Sequence, residues 1–466
     1  LTCEDEINMN NISGVTLSSL NLIDISCYVY NAINCTFNNI TLTGIDFGLD
    51  IGIFDSSNIT LRDVNTNGEG YVDVRNTNNS LVENLRITGE TSFVNCSDIL
   101  VRNISVENGY YGIDVGGVIN SIFDGIYVKD CVYGIYIRYS DFNSSNVRIE
   151  NCETGVYSYG ATNRICNINI DKFIIVQCDY GIYPVYIGHN VNLTNGKIKN
   201  IFSYGIYQDA SGVINLENVE IENTDYGAFL TRKNSHITSC TFKNNTYGVV
   251  VSDGIITSST FSNNNCGIFI NKGFVTSLEI SSCFITNNEY GICISGVMLD
   301  GGYPIDGNSD GNLIYNNYFS NNQNILYSGG YVSGNYWNIE KTPGKNIVGG
   351  PYIGGNYWGK PDGTGFSDLA MDSDGDGIAD EPYDLYYEHG IEDIPDVDWY
   401  PLVKPKVVEK TRLAPPPLPP LPKEERVVVE KQTEIRRVPV IPEELFVYGA
   451  VSAGMIPLIL ALLKRK

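Results

Sequence analysis

A bulky residue, then Gly, then an aliphatic recurs nine times at nearly fixed intervals, and this repeat limits the folds open to the chain more than any other feature. It reads YGIDV at 111–115, YGIYI at 133–137, TGVYS at 154–158, YGIYP at 180–184, YGIYQ at 204–208, YGAFL at 226–230, YGVVV at 247–251, CGIFI at 266–270 and YGICI at 290–294. The glycines stand 22, 21, 26, 24, 22, 21, 19 and 24 residues apart. A period of that size, built from short β-rich runs, marks a solenoid whose unit cannot bury its apolar face alone.

After each Gly the residues alternate, so in YGIYI the two isoleucines face one side and the second tyrosine the other. About 22 residues leave room for three such strands and three bends, one coil of a right-handed parallel β-helix with three sheets, whose coils stack at roughly 4.8 Å. The repeated Gly reads as a bend needing positive φ, or as a close backbone approach where a Cβ would clash. Four residues before it stands a second column, Asn108, Asp130, Asn151, Gln177, Asn223, Asn244, Asn263 and Asn287, broken by Ile201. Stacked amides there would bond the loop backbone and the next rung. The first hundred residues keep the pattern without the phrase, as in SSNITLRDVN (56–65) and SDILVRNISVENG (97–109). If coils run to residue 340, about 15 of them make a rod on the order of 70 Å long.

The 466 residues are ample for a large core, and a net charge of −24 argues against a nucleic-acid partner, since phosphate neutralisation needs a basic stripe. Ten Asn-x-Ser/Thr sequons, at Asn11, Asn34, Asn39, Asn58, Asn78, Asn95, Asn103, Asn143, Asn192 and Asn244, stop before residue 247. Used, they would coat the N-terminal part with sugar. Of twelve cysteines, Cys131, Cys152 and Cys178 share one phase three residues before the Gly, so adjacent rungs bring them to disulfide range or into a ladder of free thiols. Cys240 and Cys283 share a phase across Ser259 and are too far apart to bond easily. No CxxC spacing occurs, which removes the usual zinc and redox motifs.

From residue 403 the composition changes. APPPLPPLP (414–422) is extended polyproline and KEERVVVEKQTEIRRV (423–438) is charged, so 403–442 reads as a stalk able to reach on the order of 120 Å. LFVYGAVSAGMIPLILALL (445–463) has no charge and is followed by Lys464, Arg465 and Lys466. Nineteen helical residues span roughly 28 Å, so 443–466 reads as a single membrane anchor with a cytoplasmic basic end and the β-helix outside. A lipid-anchored tail, cleaved behind the same layout, is the rival. The chain starts at Leu1 without Met, which predicts a removed signal peptide.

The repeat resembles the parallel β-helix repeat of the NosD-like, carbohydrate-binding and sugar-hydrolase superfamily. GNLIYNNYFSNNQNI (311–325), GNYWG (355–359), DSDGDGIADEPYD (372–384) and DWYPL (398–402) resemble the closing segment of archaeal surface proteins of that group. The resemblance covers 1–402 and implies a β-helix over 1–340 with a cap over 341–402.

Asp372, Asp374, Asp376 and Asp380, with Gly377 between, hold positions 1, 3, 5 and 9 of a calcium-type loop, to which Ile378 would add its carbonyl and Asp384 a replacement for the missing acid at position 12. Ca²⁺ is the expected cofactor, in a structural role. A second run, Asp306, Asn308, Asp310 and Gly311, has half the pattern and reads as a turn. Tyr136, Tyr157, Tyr183, Tyr207 and Phe229 form an outward aromatic column that would stack on sugar rings or seal a subunit contact. Trp337 and Trp358, each within GNYW, are expected to cap the open end. No catalytic constellation stands out. The polygalacturonase-like order is absent, NTD (223–225) being preceded by GHN (188–190), and Asp114 and Glu150 are unremarkable carboxylates. Four Met and three His, all scattered, do not suit copper. The expectation is therefore a non-enzymatic, membrane-anchored structural or adhesive protein on the outer cell surface, a unit of a surface layer or filament binding its own copies or other subunits. The alternatives are a surface-held polysaccharide-active enzyme and a glycan receptor. A carboxylate cluster beside the aromatic stripe would favour the enzyme.

Overall fold

The computed structural model describes residues 5–44, 49–160, 166–185, 189–208, 212–231, 234–271, 278–295, 311–328, 334–385 and 396–405. The stalk from 406, the apolar segment 445–463, His389 and the second acidic run 306–310 lie outside them. Among the described residues no helix is long and apolar enough to cross a membrane.

The chain winds as a parallel β-solenoid, and each coil carries three short strands. Thr36–Thr43 illustrates the winding. It bends at Asn39, whose φ is 53°, so that Thr36–Asn38 and Ile40–Thr43 lie in different sheets, each paired in parallel with the coil before and after. The same corner recurs at Asp63, Asn84, Asn103, Asn146, Asn195 and Asn218, with φ between 51° and 59°. These side chains tolerate the left-handed region that other L-residues avoid, which explains the asparagine content of the sequence. The column four residues before the repeated Gly is a further left-handed corner, with φ from 53° to 63°.

That column is continuous where a break at Ile201 was expected. One extra residue between Ile201 and Tyr204 shifts the register, Asn200 takes the corner at φ 54°, and Asn223 Nδ2 donates to its Oδ1 at 3.0 Å. The repeated glycines themselves are not at positive φ. They are required by close approach, since a Cβ on Gly155 would lie 2.6 Å from the carbonyl of Gly181 and 2.8 Å from Ile175 Cγ2.

Inside, aliphatic and phenylalanine side chains fill the coils. Phe123 stacks between Phe93 and Phe142 at centroid distances of 5.5 and 5.0 Å. The inward position three residues before the Gly changes chemistry along the rod. Cys131, Cys152 and Cys178, which follow Gly109 there, are buried free thiols that donate to the carbonyls of Lys129, Glu150 and Val176. Further on it is held by Thr224, Asn245, Asn264 and Asn288, buried polar side chains that bond from rung to rung. Both series satisfy main-chain groups that water cannot reach. Cys240 and Cys283 are also free and buried. The disulfide formed is Cys266–Cys293, which ties adjacent rungs at a Cα separation of 6.5 Å.

Trp337 and Trp358 are fully buried at the end of the winding. Strand Tyr357–Gly359 pairs with Tyr318–Ser320, and Trp358 stacks on Phe319 at 4.8 Å. Each indole donates to a buried carboxylate, Trp337 to Asp396 at 3.1 Å and Trp358 to Asp398 at 2.8 Å. The described residues belong to one compact unit, Leu1–Val407, which takes in both the expected β-helix and its expected cap.

Candidate functional site

The face that carries the YGI phrases is one continuous parallel ladder. Along it the outward position reads Tyr28, Gly52, Asp73, Ser92, Asp114, Tyr136, Tyr157 and Tyr183, each the direct cross-strand partner of the next. Tyr207 and Phe229 continue the column beyond a local irregularity. The five expected aromatics are therefore in register. They are less outstanding than the sequence implies, because a second column, Tyr133, Tyr180, Tyr204 and Tyr226, packs against them. Tyr136 and Tyr157 stack at 5.3 Å, Tyr180 and Tyr183 at 5.3 Å, and Phe229 is only 4% exposed. The result is a flat aromatic slab rather than a row of free rings.

At the N-terminal end of the slab the same outward position changes from rings to carboxylates. Asp73 and Asp114 stand two rungs apart, roughly 10 Å between backbones. Both are buried, at 6% and 9% exposure. Each lies under a half-exposed arginine from the neighbouring outward position. Arg75 Nε donates to Asp73 at 2.9 Å, while Arg138 Nε and Nη2 donate to the two oxygens of Asp114 at 3.1 and 2.5 Å. Gly116, the partner of Arg138 in the ladder, leaves the space through which that guanidinium reaches back. Ser92, between the two acids, is 1% exposed, and its hydroxyl lies beside Tyr71 and Asp73, where it favours their ionised forms.

Two more acids complete the group. Asp50 accepts from Tyr28 Oη at 3.1 Å, and Glu90 accepts the backbone N–H of Tyr110 at 3.2 Å and of Tyr111 at 3.4 Å. Asp50 partners Tyr71, which in turn partners Glu90. Burial pushes all four carboxyls above their usual range. For Asp73 the charge of Asp114 pushes the same way and Arg75 opposes it, whereas Asp114 is pulled down by both Arg138 and Arg75. The environments of the two acids thus differ although their neighbours are alike.

The sequence reading missed Asp50, Asp73, Glu90, Arg75 and Arg138. A signal was present. YVDVR (71–75) places Asp73 and Arg75 in the phases that Asp114 and Arg138 take in YGIDV and YGIYIR, where an acid replaces the outward tyrosine. Glu150 does not join this group. It lies on another sheet, paired with Lys129 and Val176, bonded by Tyr127 and ion-paired with Arg148. His189 is buried against the Val185 carbonyl and His236 bonds Asn215, so neither reaches the acids.

In the cap, Asp372, Asp374 and Asp376 each bring a carboxylate oxygen within 4.8 Å of the others. Asp380 accepts from Ser373 N at 3.0 Å and from its Oγ at 2.5 Å. In the main-chain ladder Asp384 stands opposite Val397 and Ile378 opposite Leu402, and Lys341 Nζ ion-pairs with Asp376. Of the sequons, Asn11, Asn34, Asn39, Asn58, Asn78, Asn95, Asn103 and Asn244 are exposed. Asn143 and Asn192 are half-buried in an amide ladder with Asn169 and Asn215, all at 2.7 Å.

Residues 168–363 match the sequence model of a family described as periplasmic copper-binding protein (NosD). Together with the solenoid, this supports a place in the NosD-like β-helix superfamily. No curated protein matches the chain. Solved structures similar to it include the periplasmic alginate epimerase AlgG, at 13% identity over 68% of this chain and 78% of that one, with a TM-score of 0.29. Another is the catalytic domain of a GH87 α-1,3-glucanase in complex with nigerose, at 16% identity over 72% of this chain and 65% of that one, with a TM-score of 0.31.

Both of those proteins are enzymes, which goes against the expectation of a non-enzyme. The chemical case in this chain stands on its own Asp73–Asp114 group. The copper in the family's description finds no fitting donors. Among the described residues the free cysteines are all buried, and the gathered candidate ligands are the three aspartates of the cap, hard oxygen donors rather than thiol or imidazole.

Proposed function

We propose that this β-helix is a polysaccharide-active enzyme that hydrolyses glycosidic bonds on its tyrosine-bearing face. The observation that carries the reading is the placement of Asp73 and Asp114 on alternate rungs, buried under Arg75 and Arg138, at the end of an aromatic slab. Sugar rings stack on tyrosine faces, and the slab runs on from the acids as a set of sites for a chain. Two carboxyls separated by roughly 6.5–9.5 Å leave room for a water between one of them and the sugar, the inverting arrangement. Asp73, whose ionised form is disfavoured by burial and, to a lesser degree, by Asp114, donates its proton to the leaving oxygen as the glycosidic C–O bond breaks. Asp114, whose carboxyl burial pushes up while Arg138 and Arg75 oppose the push, takes a proton from the water whose oxygen bonds the anomeric carbon. Arg75 and Arg138 keep both carboxyls aimed and stabilise charge during transfer.

The test is a screen of purified polysaccharides for new reducing ends. Turnover is expected with at least one of them, with a loss of roughly 10²–10⁴-fold in kcat for Asp73→Asn and for Asp114→Asn at unchanged circular dichroism. Full activity in both variants would sink the assignment. The structural and adhesive reading gains no support from the fold or the comparisons.

As part of the same proposal, residues 403–442 lift the enzyme from a membrane crossed by 445–463, on the outer surface of an archaeal-type cell, with sugar on the exposed sequons and Ca²⁺ in the Asp372–Asp376 loop. Retention of the full chain in washed membranes, and its release by truncation after Pro405, is the check on that placement.

A further inference from the structure

The sign of the charge at this face bears on which glycans it takes. Five carboxylates, Asp50, Glu69, Asp73, Glu90 and Asp114, influence one another across four successive rungs. Against them stand two cations, Arg75 and Arg138, and each is already bonded to an aspartate of the group. The face therefore keeps a negative excess and, among its described residues, holds no unengaged cation to receive the carboxylate of a uronic acid. An anionic chain would be repelled on approach. Around the acids stand Tyr28, Tyr71, Tyr111 and Tyr136, whose hydroxyls add polar atoms to the group. Carboxylates beside tyrosine hydroxyls form an acceptor set that suits a primary ammonium, which gains an ion pair and further hydrogen bonds.

We infer that the glycan bound at this face carries free amino groups, an amino-sugar chain that is not acetylated and not acidic. The inference rests on the proposed reading of the face as a glycan site and narrows it. It reverses the preference for acidic glycans that many β-helix enzymes would suggest, and it follows from this chain's own excess of acids.

Four hexamers of equal length make the test, of glucosamine, N-acetylglucosamine, glucose and galacturonate, titrated calorimetrically into the full-length protein at pH 6 and low salt. The glucosamine hexamer is expected to bind at least about tenfold more tightly than the acetylated and neutral ones, and the galacturonate hexamer not measurably. The advantage is expected to shrink several-fold in roughly 0.5 M salt, as screening removes the ionic part. Glu69→Gln with Asp50→Asn, which removes two charges and leaves Asp73 and Asp114 in place, is expected to bring the glucosamine and N-acetylglucosamine affinities together. Equal binding of the acetylated and free amino hexamers, or preference for galacturonate, would overturn this inference and leave the glycan reading standing. If no hexamer binds, the glycan reading itself is overturned.

Discussion

Replacing Asn288 by Ala tests the interior amide column, which holds the later coils together. Asn288 is 1% exposed. Its Oδ1 accepts from Asn264 N at 2.9 Å and Asn264 Nδ2 at 3.0 Å, while its Nδ2 donates to Phe261 O at 3.0 Å and Asn321 Oδ1 at 2.8 Å. Alanine leaves the Asn264 N–H and the Phe261 carbonyl without these partners in a dry interior and strips one bond from the Asn264 amide. At about 1–3 kcal/mol for each of the two buried groups left unsatisfied, the loss comes to roughly 2–6 kcal/mol before any cavity is counted. Asn223→Ala is the control. It removes one exposed amide bond and places alanine at φ 56°, a cost of about 1–2 kcal/mol. Urea unfolding of the purified proteins, followed by far-ultraviolet circular dichroism, reads both. Because coils couple only to neighbours, hydrogen exchange should show the Asn288→Ala loss concentrated in rungs 245–325. An Asn288→Ala loss no larger than that of Asn223→Ala would refute the view that buried amides are what the fold depends on there.

Gly155→Ala puts a methyl 2.6 Å from the Gly181 carbonyl, and the rungs must part, so a loss of more than about 2 kcal/mol in the same urea assay is expected. A near-neutral result would show that close approach is not why Gly recurs. Burial pushes the Asp398 carboxyl up to about 7. A carboxyl in the unfolded chain titrates near 4, so the folded state holds this proton more tightly. The resulting stability is full below pH about 4 and is lost as pH rises through about 7. Asp398→Asn removes the titration, and the difference in unfolding free energy between variant and native protein should change with pH across that window; a constant difference would contradict the argument. If the Asp372–Asp376 loop holds Ca²⁺, millimolar calcium raises the thermal midpoint and Asp372→Asn abolishes the rise. A rise that persists in the variant would place the ion elsewhere.

The winding was legible because period and phase are sequence properties. Gly spacing, the outward tyrosines and the left-handed asparagines can be read without knowing any distance. The continuity of the ladder through Asn200 was hidden by one inserted residue, which only the register resolves. The change from Cys152 to Asn264 at a single inward position was within reach of the same phase argument, since both stand three residues before the Gly. The site was harder. Asp73 and Asp114 are 41 positions apart in the chain and come together because one coil stacks on the next. Asp73 belongs to coils that lack the YGI phrase, so there was no Gly from which to count its phase. In the Asp372 loop, spacing alone proposed six ligand residues, and three of them, Asp372, Asp374 and Asp376, bring carboxylate oxygens together.

The central claim is that the carboxylate end of the tyrosine slab acts on a glycan chain. The most direct test is a crystal structure of the Asp114→Asn variant with an oligosaccharide hexamer that the native protein turns over. The account predicts sugar rings on Tyr136 and Tyr157, with one glycosidic oxygen within about 3 Å of Asp73 and a water between residue 114 and the anomeric carbon. Sugar bound away from this face, or lying on the slab with every glycosidic oxygen out of reach of Asp73, would contradict it.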